Sequence, residues 1–303
     1  MLRRSGRPSR SGPSAAGAVP EATRFLYGYL LGGLRAPVVG FYWLKVDLQY
    51  RKGRYFALEK DLRVLAELNP SSPQVWDYAA WHQAFNVVRR AATPEERFRH
   101  RYEGLRLARQ GLERLPTCRQ LLLRLGLIAG QFAGEDGARF RQAESGTSPE
   151  AVVFEAFARL REAPDGGPED GVLFAGAAER WAIRLLIDGD FGRAAEAFRA
   201  GLRELERYRQ VVSEPAATAA AVELRDVAWI VQRAGTWLRV AEHGRAARDA
   251  AANGDRARSA HVIGQALAAL EVLEDGPEEV VEEERDAREA VRRTLVALGA
   301  TRE

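Results

Sequence analysis

Apolar residues recur three and four positions apart along most of the chain, as they do on one face of an α-helix. A representative face is formed by Phe191, Ala194, Ala195, Phe198, Leu202 and Leu205. Glycine and proline residues interrupt the pattern at intervals typical of helices in an antiparallel array, among them Gly53, Pro70, Pro116, Gly189 and Gly254. We find no alternating run of β-branched residues bounded by hairpin turns. The pattern predicts an all-α fold.

The spacing of the helix breakers indicates a repeated helix pair. Gly53 precedes a predicted helix that ends at Leu68-Asn69-Pro70, and Trp76 begins the next predicted helix. Tyr42 and Trp43 stand one repeat earlier, since Tyr42 lies 34 residues before Trp76. A period of 34 residues, with two helices joined by a tight turn, is that of the tetratricopeptide repeat.

Small residues stand where the two helices of such a pair would approach closely. Gly104, Ala108 and Gly111 have this spacing, and Ala194 and Phe198 match the A-x3-F pattern of the repeat's second helix. One helix pair cannot bury its own apolar face, so neighbouring pairs must stack. We therefore predict a tetratricopeptide-repeat-like (TPR-like) α-solenoid of about five or six stacked antiparallel helix pairs.

Short motifs between Leu31 and about Phe132 carry a family resemblance. They are Leu31-Gly32-Gly33-Leu34-Arg35, Tyr42-Trp43-Leu44, Gly53-Arg54-Tyr55-Phe56, Leu68-Asn69-Pro70, Val75-Trp76, Ala80-Trp81 and Phe85-Asn86. Over roughly a third of its length the chain resembles a family of largely uncharacterised bacterial TPR proteins. The resemblance implies a stacked helix-pair scaffold that binds other proteins, with no catalytic residues to carry over.

The predicted organisation has four parts. A disordered basic tail over 1–21 precedes an N-terminal TPR-like block over 22–133, and a linker or loop over 134–149 leads to a C-terminal helical repeat block over 150–300 that ends in an acidic capping helix. Pro70 and Pro116 are 46 residues apart, 12 more than one repeat. The stretch from Arg89 to Arg97 is therefore expected to be an inserted loop or an extended helix.

An apolar segment from Phe25 to Leu44 has Arg35 as its only charged residue and is about as long as a membrane span. Gly32-Gly33 and Pro37 divide it, and Arg35 would lie near the centre of a bilayer. We favour a buried helix pair. A peripheral or embedded membrane anchor and a cleaved signal peptide are the alternatives.

Composition excludes several classes of site. The chain has 45 Lys and Arg residues against 42 Asp and Glu, a net charge of +3, so its basicity does not indicate nucleic-acid binding. A single cysteine, Cys118, excludes a disulfide framework, a CxxC redox pair and a multi-cysteine zinc site. His82, His100, His243 and His261 form no metal-binding motif. We expect no catalytic residue, no metal and no cofactor.

The first helices of stacked pairs line the concave face of a solenoid, where a minority of aromatic and charged side chains would meet a partner. The residues predicted to face this groove are Trp43, Asp47, Tyr50, Arg51, Asp77 and Trp81. We therefore predict a cytoplasmic, non-catalytic scaffold or adaptor with a protein or peptide partner and no nucleic acid. The alternative is a membrane-associated assembly factor anchored through residues 25–44; an all-α enzyme is also left open.

Overall fold

The computed structural model describes residues 35–132, 134–212, 221–273 and 278–300. The chain divides into two compact units at Pro70. The first contains α1 (Arg35–Arg51) and α2 (Tyr55–Leu68). The second contains α3 (Pro73–Trp81), α4 (Pro94–Arg114), α5 (Arg119–Ala129), α6 (Gly134–Ala143), α7 (Pro149–Arg161), α8 (Pro168–Ile187), α9 (Phe191–Val212), α10 (Ala221–Ala252), α11 (Arg256–Val272) and α12 (Glu278–Ala300).

The prediction of an all-α fold is confirmed, because every regular element within these ranges is helical. The predicted tail over 1–21 and the first part of the apolar segment, residues 25–34, lie outside the described residues. None of the described helices combines the length and the apolar character needed to cross a bilayer.

The first unit is a helix hairpin. Leu58, Leu62 and Leu65 of α2 are almost fully buried, and Val46 of α1 is buried as well. The Arg35 side chain donates to the carbonyl of Leu68 (2.7 Å), linking the start of α1 to the end of α2. The hairpin is therefore fastened at its open end by a charged hydrogen bond and along its length by leucine packing.

One turn geometry recurs in three hairpins, α1–α2, α8–α9 and α10–α11. The turn glycines Gly53, Gly189 and Gly254 have φ of 63°, 77° and 76°. In each turn the glycine N–H donates a hydrogen bond to the carbonyl three residues earlier. The N–H of the next residue donates to the carbonyl five residues before it. This left-handed conformation favours glycine. The glycines visible in the sequence therefore end one helix and set the direction in which the next helix begins.

In the second unit most helices pack against the next one along the chain. α8 to α12 share one apolar core, to which each contributes, with Leu186, Phe198, Trp237, Ile263 and Leu295 as examples. α12 also contacts α8, and the Thr294 hydroxyl donates to the Ile187 carbonyl (3.0 Å). This return of the last described helix to α8 is a contact that a strictly linear stack of hairpins does not predict.

The extra length between Pro70 and Pro116 is taken up by longer helices. α3 continues as a π-helix from His82 to Val87 and a 3-10 turn from Val88 to Arg90, and α4 has 21 residues. Of the two expectations for the stretch from Arg89 to Arg97, an extended helix describes the structure better than an inserted loop does. Within 134–149, where a linker or loop was expected, the structure has α6, whose Phe140 is fully buried.

Every buried carboxylate in the described part of the chain pairs with a cation on another helix. The pairs are Asp61–Lys45, Asp77–Arg124, Asp170–Arg119, Glu179–Arg233 and Glu204–Arg161. Partners in the second unit are 43 to 54 residues apart in the chain. Since a carboxylate buried without a partner costs several kcal/mol, these pairs favour one register between helices that are distant in sequence.

The close approach predicted for Gly104 is present where α4 crosses the helix before it. A Cβ atom at Gly104 would lie 2.8 Å from both the Ala80 carbonyl oxygen and the Ala84 Cβ. Backbone cannot move aside as the tip of a flexible side chain can. The helices therefore cross at a distance that only glycine permits.

Gly104→Ala is expected to lower the free energy of unfolding by about 1–3 kcal/mol, because the added methyl group forces the two helices apart. Gly264→Ala is the matched control, since Gly264 is exposed on α11 and its added Cβ would meet nothing within 4 Å. That change should raise the free energy of unfolding by up to about 1 kcal/mol. Urea unfolding measures both, and a neutral Gly104→Ala would contradict the close approach.

Candidate functional site

The residues predicted to face a groove fall in both compact units. Trp43, Asp47, Tyr50 and Arg51 lie on α1 of the first unit. Asp47, Tyr50 and Arg51 are exposed, whereas Trp43 is half-buried. Asp47 pairs with Arg51 (2.9 Å), and the Tyr50 ring lies 6.1 Å from that of Tyr55. These four residues therefore share one helix, and three of them are accessible to a partner.

Asp77 and Trp81 lie on α3 of the second unit. Asp77 is buried, and its carboxylate accepts hydrogen bonds from Arg124 (2.6 Å) and Gln120 (2.8 Å). Trp81 is half-buried against Tyr78, with 5.8 Å between ring centroids. The Asp77 carboxylate is thus engaged in joining α3 to α5, which limits what it offers to a partner.

Two histidines, His82 in the π-helical segment and His100 on α4, each lie beside an amide side chain. His82 is buried, and its Nδ1 lies 3.2 Å from the amide nitrogen of Asn86. Gln83 in turn lies 3.0 Å from Nδ1 of His100. His82, Gln83 and Asn86 belong to the π-helical segment, and His100 comes from α4. Within the described ranges no group of three or more His, Cys, Asp or Glu side chains could hold a metal ion.

An open cleft of about 440 Å³ lies between α4, α5 and α7 in the second unit, and we call it the α4/α7 cleft. Its floor is apolar and buried, and consists of Leu112, Leu125, Val152 and Ala156. Its rim is charged or polar, and consists of Arg109, Glu113, Glu144, Thr147, Glu155 and Arg159. An apolar floor with a few polar groups around it is typical of protein sites that bind small or extended ligands.

Glu144 is fixed at the rim by two hydrogen bonds to the same carboxylate oxygen. The Tyr102 hydroxyl and a guanidinium N–H of Arg109 both donate to Oε1, each at 2.7 Å. The chain then reverses through Ser145 (φ 52°) and Gly146 (φ 95°), whose N–H donates to the Arg141 carbonyl. Ser145 is the non-glycine residue with positive φ among the described positions, so this turn holds Glu144 at an energetic cost.

The surroundings of Glu144 favour its ionised form. Burial raises the pKa of the carboxyl group, but hydrogen bonds from Arg109 and Tyr102, together with the positive charge of Arg109, outweigh burial and hold the pKa below its usual value. The pKa of Tyr102 is raised, first by burial and then by its hydrogen bond to Glu144. Glu144 is therefore an anchored anion near neutral pH and serves to position the rim.

Two carboxylates at the rim remain available. Glu113 on α4 and Glu155 on α7 are both exposed, and neither has an ion-pair partner among the described residues. The Arg159 guanidinium donates to the Pro116 carbonyl (2.8 Å). Glu113 and Glu155 thus add unpaired negative charge beside an apolar floor, a combination that accommodates a side chain with an apolar stem and a cationic head.

Sequence patterns did not indicate the cleft. Its lining residues come from three helices and a turn, and they form no motif of fixed spacing. The apolar period marks Leu112 and Val152 as core residues without showing that the space beside them stays open. The linker or loop predicted over 134–149 covers the turn at Ser145 and Gly146 but does not show which helices that turn faces.

Comparison of the chain with protein-family models and with curated proteins finds no match.

Tyr102→Phe is expected to lower the free energy of unfolding at pH 7 by about 1–2 kcal/mol, because Glu144 loses one of its two donors. The folded-state pKa of Glu144 lies below its ordinary value of 4.5, so its contribution is complete above that value and is lost as the pH falls through the folded pKa. The difference between the native chain and the variant should therefore shrink in acid. Urea unfolding from pH 7 to pH 3 measures this trend.

Tyr50→Phe is the control for that experiment, since the Tyr50 side chain is exposed. It should change stability little at any pH. A Tyr102→Phe effect that stayed constant down to pH 3 would contradict the Glu144 assignment.

Asp77→Asn is expected to lower the free energy of unfolding by about 2 kcal/mol, because Arg124 loses its counter-ion in a largely buried site. Asp47→Asn breaks an exposed pair with Arg51 and should change stability by less than about 0.5 kcal/mol. Thermal unfolding of both variants separates the two predictions, and equal effects would show that burial does not distinguish the pairs.

Proposed function

We propose that the protein is a non-catalytic interaction scaffold built from stacked helix hairpins in a TPR-like arrangement. The α4/α7 cleft carries the proposal, because it places two unpaired carboxylates above an apolar floor. The recurrence of one glycine turn in three hairpins supports a repeated unit. The contact of α12 with α8 then closes the described end of the array.

The partner that suits the cleft is a peptide segment with a lysine or arginine side chain. The methylene stem of that side chain would cover Leu112 and Val152, while its charged head would lie near Glu113 and Glu155. N–H groups of Arg159 face the same rim and can donate to a backbone carbonyl of the peptide. Since the cleft is already formed in the free chain, the partner bears most of the ordering entropy.

The non-catalytic assignment is supported by the way the cleft uses its titratable groups. Glu144, Tyr102 and Arg109 are bonded to one another, and the pKa of Glu144 is lowered. General acid–base catalysis near neutral pH favours a carboxyl group whose pKa is raised instead. Glu144, Tyr102 and Arg109 are therefore engaged in holding the rim of the cleft in place.

The exposed residues predicted from the sequence extend the proposal to the first unit. Asp47, Tyr50 and Arg51 are accessible on α1, and tyrosine and arginine are frequent anchors of protein interfaces. Trp43 and Trp81 are half-buried and can contribute part of a ring to a contact. Their role as a partner-binding set stays a prediction.

Binding to an immobilised positional library of nine-residue peptides tests the cleft. The native chain should select lysine or arginine flanked by apolar residues, and Glu113→Gln/Glu155→Gln should weaken this selection about fivefold or more, since each lost rim charge is worth up to about 1 kcal/mol. The matched control is Glu196→Gln/Glu206→Gln, which removes two exposed carboxylates from α9.

The control should bind as the native chain does. Unselective binding by the native chain, or equal loss in the two double variants, would refute the assignment of a basic peptide to this cleft.

A further inference from the structure

Exposed apolar side chains are concentrated in the first unit. Ten large apolar side chains are exposed in the described part of the chain, and five of them lie between residues 41 and 56. They are Phe41, Leu44, Leu48, Tyr50 and Phe56. A cluster of exposed apolar residues of this kind marks an interaction surface more often than isolated exposed residues do.

Phe41, Leu44 and Leu48 form one stripe along α1, and we call it the α1 stripe. Their spacing of three and four places them on the same side of the helix. They are 61%, 73% and 48% exposed. Three large apolar side chains are thus aligned toward solvent on a helix of 17 residues.

The opposite side of α1 faces the interior of the hairpin and is apolar as well. That side contains Val46, which is buried, and Trp43, which is half-buried. Lys45 lies four residues after Phe41, at the edge of the stripe, and its Nζ lies 2.6 Å from a carboxylate oxygen of the buried Asp61. α1 therefore has apolar side chains on both sides, and packing against α2 covers only one of them. The hairpin does not itself bury the α1 stripe.

Charge around the stripe has one predominant sign. Arg51, Lys52 and Arg54 follow within six residues of Leu48, and all three are exposed. Asp47 is the one acidic residue of α1, and it is paired with Arg51. Lysine and arginine beside an apolar helix face are favourable next to anionic lipid headgroups.

The chain on the other side of the stripe is also apolar in sequence. Residues 25–34 precede α1 and contain no charged residue. Along the chain, the α1 stripe is therefore preceded by an apolar segment and followed by a basic cluster. A lipid bilayer offers both environments, since its surface is anionic and its interior is apolar.

We propose that the α1 stripe docks on the surface of an anionic phospholipid bilayer, with Phe41, Leu44 and Leu48 among the acyl chains and Lys52 and Arg54 at the headgroups. α1 then lies in the plane of the interface. This surface belongs to the first unit and goes beyond the proposed function of the α4/α7 cleft in the second.

Sedimentation of the full chain with sucrose-loaded vesicles tests the docking. Vesicles of phosphatidylcholine with 30% phosphatidylglycerol, a composition chosen for the assay, are compared with vesicles of phosphatidylcholine alone. The native chain should bind the anionic vesicles, and Phe41→Ser/Leu44→Ser/Leu48→Ser should bind at least tenfold more weakly. The matched control is Leu127→Ser/Leu173→Ser/Val296→Ser, which removes three exposed apolar side chains from the second unit and should bind as the native chain does.

A second pair of variants tests the charged part of the surface. Lys52→Gln/Arg54→Gln should weaken binding to anionic vesicles about fivefold for each charge removed, whereas Arg114→Gln/Arg203→Gln should not. Circular dichroism confirms that each variant keeps the helical content of the native chain.

Three results would overturn the proposal. They are the absence of vesicle binding by the native chain, equal binding by the native chain and the stripe variant, and equal binding to neutral and anionic vesicles. Sedimentation equilibrium adds a fourth. A native dimer that the stripe substitutions dissociate, without vesicle binding, would assign the face to a second copy of the chain.

Discussion

A buried carboxylate needs a cation on another helix, and this constraint organises the described part of the chain. Each of the five buried acidic side chains has such a cationic partner, which is Lys45 in the first unit and an arginine in the second. Apolar packing alone tolerates small slips of one helix along another, whereas a buried ion pair is lost when either partner moves. The pairs Asp77–Arg124 and Glu179–Arg233 therefore give the helix stack a definite register. The arginine excess of the sequence, 42 residues beside three lysines, thus supplies partners for the interior as well as charge for the surface.

Local turns and long-range contacts act at different ranges in this fold. The positive-φ glycine turns reverse the chain sharply in the hairpins α1–α2, α8–α9 and α10–α11, so the two helices of each hairpin lie side by side. The left-handed turn at Ser145 and Gly146 brings Glu144 over the apolar floor, where Arg109 and Tyr102 hold it. Glu113 and Glu155 are left without an ion-pair partner at the rim, among the described residues, and the proposed basic partner would supply the missing positive charge. The α1 stripe has a different origin, since the other side of α1, with the buried Val46, packs into the hairpin while Phe41 and Leu44 stay outside.

Much of the architecture was predictable because its causes are local in the chain. The helical period, the glycine breakers and the small residues at helix crossings act through neighbouring positions, and they indicated an all-α chain, the turn at Gly189 and the close approach at Gly104. The predicted binding residues depended on a repeat register, which places a residue on a helix face without showing what lies opposite. Asp77 illustrates the limit, because a carboxylate expected on a groove lies buried against Arg124, 47 residues later. Helix α6 illustrates another, since a glycine-rich stretch expected as a loop carries the fully buried Phe140.

The amino-acid order alone therefore determined that this chain is helical, where several of its helices end and which faces are apolar. These properties follow from backbone conformation and from residues within one or two turns of each other. The tertiary structure decided which buried acid meets which arginine, which three helices enclose the α4/α7 cleft, and that Phe41, Leu44 and Leu48 remain outside. Those outcomes depend on contacts between residues tens of positions apart, and no short-range pattern encodes the distance between two helix surfaces once they have packed.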